Sequence, residues 1–296
     1  MLDIGLVGLD TSHPEAFARL IDQRDDATVA AVWDGGAVRD DEYVRQFCAQ
    51  YDATRYRNPT GMLGTVDAVM ILTVNWNTHR PLAVPFLEAD VPTFIDKPIA
   101  GRHEDIDAIA AAAGDTPLFG GSAIPFHPRL TAFPTAQPNR TVYCTGYNDP
   151  FYYGVHLTDT VGMLVRDTWT RVTPKNRPGS VVDIEFENDS HVTLQLEGPN
   201  ENPAFGILDV HDRTRTARIG SGAEEYQQMY GDFLAAFLDS VRGERRANTR
   251  ILNSASLLLA VQTALRTNQV ITPSHAQLAE MHVESDEFLA DYAPYA

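Results

Sequence analysis

The residues that could do chemistry begin with one lysine at the end of an apolar run. Val91-Pro92-Thr93-Phe94-Ile95-Asp96-Lys97-Pro98-Ile99-Ala100 reads as a short buried strand stopped by an acid, a lysine and a proline. In open α/β sheets the carboxyl ends of the strands are where ligands bind. Lys175 is the only other lysine, and every remaining Lys/Arg position is arginine. A lysine kept here points to a compact ammonium whose proton affinity its surroundings can move, which arginine cannot offer.

A second constellation opens the chain. The apolar run Leu2 to Leu9 leads into Asp10-Thr11-Ser12-His13-Pro14-Glu15, where Ser12 and Glu15 have capping-box spacing and the proline suits a first helical turn. A helix from about His13 to Asp22 follows, with Phe17, Leu20 and Ile21 on one face, and the run Thr28 to Trp33 ends at Asp34. Strand, tight turn, helix, strand and terminal acid is the order of a dinucleotide-binding unit, and Asp34 lies at the distance expected of the ribose-binding acid. The Gly-x-Gly-x-x-Gly frame reads Gly8-Leu9-Asp10-Thr11-Ser12-His13, so only its first glycine is present. Asp10 therefore brings a side chain and a negative charge toward the place of a pyrophosphate, while Thr11, Ser12 and the helix-start amides can still bind phosphate.

Alternating elements must position these residues. Helices at Asp41 to Tyr51, His79 to Ala89 and Glu104 to Ala113 separate strands at Val66 to Thr73, the lysine-bearing run and Leu118 to Gly121. That spacing calls for an α/β, doubly wound parallel sheet over residues 1–122. After Pro138 the pattern becomes short alternating strands, at 141–148, 168–173, 181–187, 191–197, 204–211 and 215–219, with one helix at Gly154 to Val165. Residues 123–272 thus form an α+β domain with an open, mainly antiparallel sheet, closed by helices at Glu224 to Val241 and Ile251 to Arg266. Residues 273–296 read as an acidic tail.

Composition bounds the partners. Asp plus Glu number 40 against 23 Lys plus Arg, for a formal net charge of -17. Nucleic acid and anionic membrane both reward a basic face, so neither is expected. Scarce lysine with abundant Asp, Glu, Thr and Ala matches the hydrated acidic surface of a salty cytoplasm, although a high-GC genome would also favour arginine. Two cysteines, Cys48 and Cys144, make no disulfide framework and have no metal spacing. Without a leader pattern or a spanning apolar run, the expected location is cytoplasmic. Asp10, His13, His127, His156 and Asp159 are metal-type ligands without a zinc spacing, so no metal site is expected.

Thr73-Val74, His79, Glu88-Ala89-Asp90 and Asp96-Lys97-Pro98 resemble the signature segment of the glucose-fructose oxidoreductase, inositol dehydrogenase and MocA (Gfo/Idh/MocA) family, and Gly154-Val155-His156-Leu157-Thr158-Asp159 is similar to its Asp-x-Gly-x-His-x-x-Asp helix start. The likeness extends over nearly the whole chain. It implies an N-terminal Rossmann domain and a nicotinamide lying across the carboxyl edge of the sheet. It also implies that Lys97 and His156 flank a substrate hydroxyl being oxidised or a carbonyl being reduced. A neutral histidine beside an ammonium suits that chemistry, since hydride leaves a carbinol carbon as the hydroxyl proton is withdrawn. Asp159, one turn on, is placed to orient the imidazole. The family's acid four residues before the histidine is Tyr152 here, a poor base that can donate a hydrogen bond or stack on a sugar ring.

The expected activity is NAD-dependent oxidation or reduction of a sugar, cyclitol or related polyol. Cofactor contacts are expected from Gly8, Asp10, Thr11, Ser12, Asp34, Thr73, Asn75, His79, Asp96 and Lys97. Asp34 favours NAD over NADP because a carboxylate repels an added phosphate, and Arg39 lies too far along to reverse that. Two other readings keep the fold: an isomerase or lyase using His156, Lys97 and Tyr152 for proton chemistry, and a non-catalytic relative with a decayed nucleotide turn. The broad second sheet is expected to form a homo-oligomer interface.

Overall fold

The computed structural model describes residues 1–201, 203–220, 222–244 and 248–293. Its first half alternates β1 (Leu2–Val7), α1 (His13–Asp22), β2 (Ala27–Trp33), α2 (Asp41–Gln50), β3 (Thr54–Arg55), β4 (Ala68–Ile71), α3 (His79–Leu87), β5 (Thr93–Asp96), α4 (His103–Ala113) and β6 (Leu118–Gly121). These strands form one parallel sheet of order β3-β2-β1-β4-β5-β6. Every residue of β4, β5 and β6 is buried, and strands covered on both faces read as unbroken apolar runs. The edge strand β3 is two exposed residues long and leaves no such pattern.

The second half contains α5 (Pro128–Thr131), β7 (Thr141–Thr145), α6 (Gly154–Val165), β8 (Trp169–Lys175), β9 (Val181–Phe186), β10 (His191–Gln195), β11 (Ala204–Val210) and β12 (Thr214–Gly220). The sheet order is β12-β11-β7-β10-β9-β8, with β7 and β10 parallel and the other neighbours antiparallel. Buried and accessible residues alternate along β9 and β10, as a sheet with one wet face requires.

Two long helices, α7 (Ala223–Val241) and α8 (Asn248–Thr267), return to the first sheet. Phe233 of α7 packs among Phe17, Phe94, Phe119 and Phe126 with ring centroids between 5.0 and 6.2 Å. Truncating a ring in such a cluster costs about 3–5 kcal/mol. The cluster fixes α7 against α1 and so brings Tyr230, one turn before Phe233, to the head of α1.

The tail is not a loose end. Residues 273–293 fold back through α9 (Ala276–Glu280) and α10 (Asp286–Ala290) onto the first sheet. Val283 N donates to Gly101 O at 3.0 Å, and Trp76 Nε1 donates to Val283 O at 2.8 Å. Its apolar and hydroxyl residues, Met281, Val283 and Ser285, are buried, while its acids stay wet. An average over the segment hides that division.

Candidate active site

The turn after β1 is built around Gly8 and Asp10. Gly8 has φ +94°, and a Cβ there would lie 2.6 Å from Thr73 Cγ2, so the first glycine of the frame is required by the neighbouring strand end. Asp10 does not point at the expected pyrophosphate position. Its carboxylate turns inward, is 3 % exposed, and accepts a hydrogen bond from Val74 N at 3.0 Å across the crevice between β1 and β4. Burial, opposed by that bond, raises its pKa to about 6. Ser12 makes no side-chain cap despite its spacing to Glu15; Thr11 Oγ1 accepts from His13 N instead, and Glu15 accepts from Tyr43 OH. Of the first amides of α1, His13 N is taken by Thr11, Ala16 N donates to Ser12 O at 3.1 Å and Pro14 has no donor, so the head of α1 offers the cavity the Ser12 hydroxyl and at most the Glu15 amide, fewer donors than the sequence reading expected.

Asp34 stands at the end of β2, where its Oδ2 accepts from Leu9 N and its Oδ1 from Gly36 N, both at 2.8 Å. It is anchored to the turn with lone pairs remaining for a ribose hydroxyl. Arg39, distant in sequence, comes back to this turn, with Nε donating to Leu9 O at 3.3 Å and the guanidinium over the Tyr43 ring at 4.3 Å.

The loop after β4 serves the tail more than an open cleft. Thr73 Oγ1 and Thr78 Oγ1 are 2.7 Å apart, and Asn75 Oδ1 accepts from Asn77 N at 2.9 Å and Ser285 Oγ at 2.8 Å. His79, read as a cofactor contact, is fully buried, and its two nitrogens meet Ile99 O at 3.1 Å and Thr73 O at 2.9 Å. It ties one strand end to the next and does not face the cavity.

Lys97 is 7 % exposed and makes no ion pair among the described residues. Its ammonium lies 3.3 Å from the Tyr152 ring centroid, a desolvated cation–π contact of about 2 kcal/mol. Burial lowers its pKa to about 7 against the attraction of Asp96 and Asp149. Tyr152 is held there because Asp149 Oδ1 accepts from Phe151 N and Tyr152 N. Phe288 of α10 stacks on the same ring at 4.1 Å, so neither face is left for a sugar.

His156 lies in the first turn of α6. Its Nδ1 is 2.6 Å from Ser122 Oγ, and burial followed by the charge of Lys97 keeps its pKa well below the ordinary histidine value. Asp159 does not touch the imidazole. Its Oδ2 accepts from Ser122 N at 2.5 Å, its Oδ1 pairs with Arg250 at 3.6 Å, and burial raises its pKa. A side chain at Gly121 (φ +74°) would meet that carboxylate at 2.4 Å. Asp159 therefore fixes the serine that holds the histidine.

Thr11, Ser12, His13, Lys97, Tyr152 and His156 meet around one cavity of about 670 Å³, within the range of small-molecule sites. Tyr147, Tyr153, Phe205, Tyr226 and Tyr230 supply aromatic walls, and Phe288 and Tyr292 of the tail close one side. Tyr292 OH also donates to Asp10 O at 3.3 Å. Ser122, His13, Tyr230 and the tail residues Phe288 and Tyr292 were not among the site residues expected from the sequence. Ser122 follows a strand end and the tail aromatics lie in an acidic stretch, so neither has a local signature; His13 had one, a bulky ring at the third-glycine position. No group of three or more potential metal ligands occurs among the described residues.

Residues 2–118 match the family model GFO_IDH_MocA, described as an oxidoreductase family with an NAD-binding Rossmann fold. Among solved structures, apo scyllo-inositol dehydrogenase from Lactobacillus casei is 12 % identical with a TM-score of 0.73, covering 93 % of this chain and 99 % of that one. The WlbA dehydrogenase from Bordetella pertussis, in complex with NADH and UDP-GlcNAcA, is 16 % identical with a TM-score of 0.70, covering 92 % and 97 %. An oxidoreductase from Agrobacterium radiobacter in complex with NAD+, L-tartaric acid and magnesium is 15 % identical with a TM-score of 0.70, covering 92 % and 98 %. At such identities the likeness is one of fold. No curated protein matches the chain in sequence.

Proposed function

We propose that this chain, whose residues 2–118 match the Gfo/Idh/MocA oxidoreductase family model, oxidises or reduces a sugar, cyclitol or related polyol with NAD. The observation that carries the reading is one cavity shared by the α1 head and the pair Lys97 and His156. Bound NAD would exchange the hydride. Thr11, Ser12 and the Glu15 amide would hold its pyrophosphate, and Asp34 a ribose hydroxyl. Lys97 would place a positive charge on the substrate oxygen as an alkoxide develops, worth most in a cavity screened from water. His156 would bind the same oxygen.

The walls suit a neutral ring. No arginine lines the cavity among the described residues, whereas tyrosines offer hydroxyls and ring faces to a polyol. Lys97 and His156, both with shifted titration, line this cavity, as groups set for chemistry do. Carboxylate and arginine both stand near the ribose position, and the NAD preference rests on Asp34 being nearer the turn. Association through the open face of the second sheet, where Tyr143 and Val210 are exposed, belongs to the same proposal. No described helix is long and apolar enough to cross a membrane.

The test is formation of NADH from a panel of inositols, aldoses and polyols in molar potassium chloride, with Lys97→Met as control. Turnover by the wild type that the variant lacks supports the reading. Turnover unaffected by the variant, or none with any member in either direction, removes it.

A further inference from the structure

The proposed oxidation needs a group to receive the hydroxyl proton, and the hydrogen bonds around His156 make it a poor receiver. Ser122 Oγ accepts from Ile124 N at 3.0 Å, and the imidazole is the only other partner of that buried hydroxyl among the described residues. A buried hydroxyl proton is nearly always bonded, so it is donated to His156 Nδ1. The neutral ring then carries its own proton on Nε2, the nitrogen away from the serine. His156 is thereby a donor to a substrate oxygen.

A second histidine has the opposite arrangement. His13 Nδ1 lies 2.7 Å from Asp96 Oδ2, and His13 Nε2 lies 3.2 Å from Tyr230 OH. Asp96 is 1 % exposed, and against its burial the Lys97 ammonium and the bond from Lys97 N to its Oδ1 at 2.8 Å favour the carboxylate, so it is an acceptor. Nδ1 must therefore donate to it, which leaves Nε2 of the neutral ring to accept from the phenol. The ring is clamped by Phe17 and Tyr230, with centroids 5.7 and 5.6 Å away. Both His13 and Tyr230 line the cavity with Lys97 and His156.

We propose that Asp96, His13 and Tyr230 form a proton relay in which His13 is the terminal base, and that His156 holds the substrate oxygen as a donor. The inference rests on the dehydrogenase reading for its substrate, and names the base of that site. In the oxidation, the substrate hydroxyl passes its proton to the Tyr230 oxygen while the phenol passes its own to His13 Nε2. Bound NAD would take the hydride from the carbinol carbon, which leaves the carbonyl. Asp96 orients the imidazole and stabilises the imidazolium, the same division of labour as in hydrolase triads. The position is one where a dinucleotide turn ordinarily has glycine, so the ring costs close packing that the relay repays in function.

The test begins without substrate. Full-length protein labelled with ¹⁵N-histidine is examined by long-range proton–nitrogen correlation near neutral pH, with His13→Gln and His156→Gln for assignment. The relay predicts a proton on Nδ1 of His13 and on Nε2 of His156, opposite tautomers in one cavity. A proton on His13 Nε2 would overturn it, because that ring could then only donate to Tyr230. With a polyol that the wild type turns over, Tyr230→Phe and His13→Gln should each lower kcat about a hundredfold or more with little change in KM. Their combination should be little worse than either alone. Full kcat in both variants would sink the relay and leave the dehydrogenase reading standing. No NADH from any polyol would sink that reading, and the tautomers alone would then decide the relay.

Discussion

Lys97 Nζ lies 3.3 Å from the centroid of the Tyr152 ring, which takes the place of the carboxylate that the sequence resemblance leads one to expect four residues before His156. An aromatic face attracts the ammonium without neutralising it. Burial then dominates, and the lysine titrates near neutrality.

With only two lysines in the chain, this is directly measurable. Trace acetylation with peptide mapping should give Lys97 a midpoint near pH 7, as burial lowers it to about 7. Protection at all pH values below 9 would contradict this. Folding disfavours the ammonium, so the penalty is complete below pH 7 and is relieved as pH rises from about 7 toward 10.5. Lys97→Met should therefore melt higher near pH 7, by the equivalent of about 2 kcal/mol, while losing turnover.

Asp10 has the opposite titration. Its folded pKa is raised to about 6, so the stabilisation tied to its protonated form is complete below pH 3.8 and is lost as pH rises through 6. Asp10→Asn should stabilise the protein at pH 8 by about 2 kcal/mol and change little at pH 4 in denaturant titrations. A neutral side chain beneath the pyrophosphate position should also tighten NAD binding. Equal stability of variant and wild type at pH 8 would show that the Val74 bond outweighs burial.

The C-terminal segment bridges the carboxyl ends of β1 and β4, through Tyr292 on Asp10 and Ser285 on Asn75. Strand order reverses between these two strands, the place where dinucleotides lie in such sheets. Ending the chain after Ser285 keeps the Val283 and Ser285 anchors and removes Phe288 and Tyr292. If that flap is closed by about 1.4 kcal/mol, truncation should tighten NAD about tenfold. Unchanged or weaker affinity would mean the flap yields freely or contributes contacts.

What the sequence made legible was local. Lys97, Gly8 and Asp34 are each marked by the end of an apolar run, and the change from helical to alternating period marked the second sheet. The His13–Tyr230 contact joins residues 217 apart, and the Ser285–Asn75 bond joins residues 210 apart, so periodicity carries no trace of either. Ser12 shows the converse error. Its spacing to Glu15 is right for a capping box, yet Tyr43 and Thr11 take the partners first. Asp159 lies one turn on from His156, yet Ser122 from another strand end intervenes between them.

The most direct test of the account is a calorimetric titration of the full chain with NAD, NADH, NADP and NADPH in molar potassium chloride, repeated with Asp34→Ala. Micromolar binding of NAD or NADH that the variant weakens is expected, with the phosphorylated pair weaker in the wild type. Absence of binding for all four by folded protein, in the full chain and in the chain ending at Ser285, would contradict it.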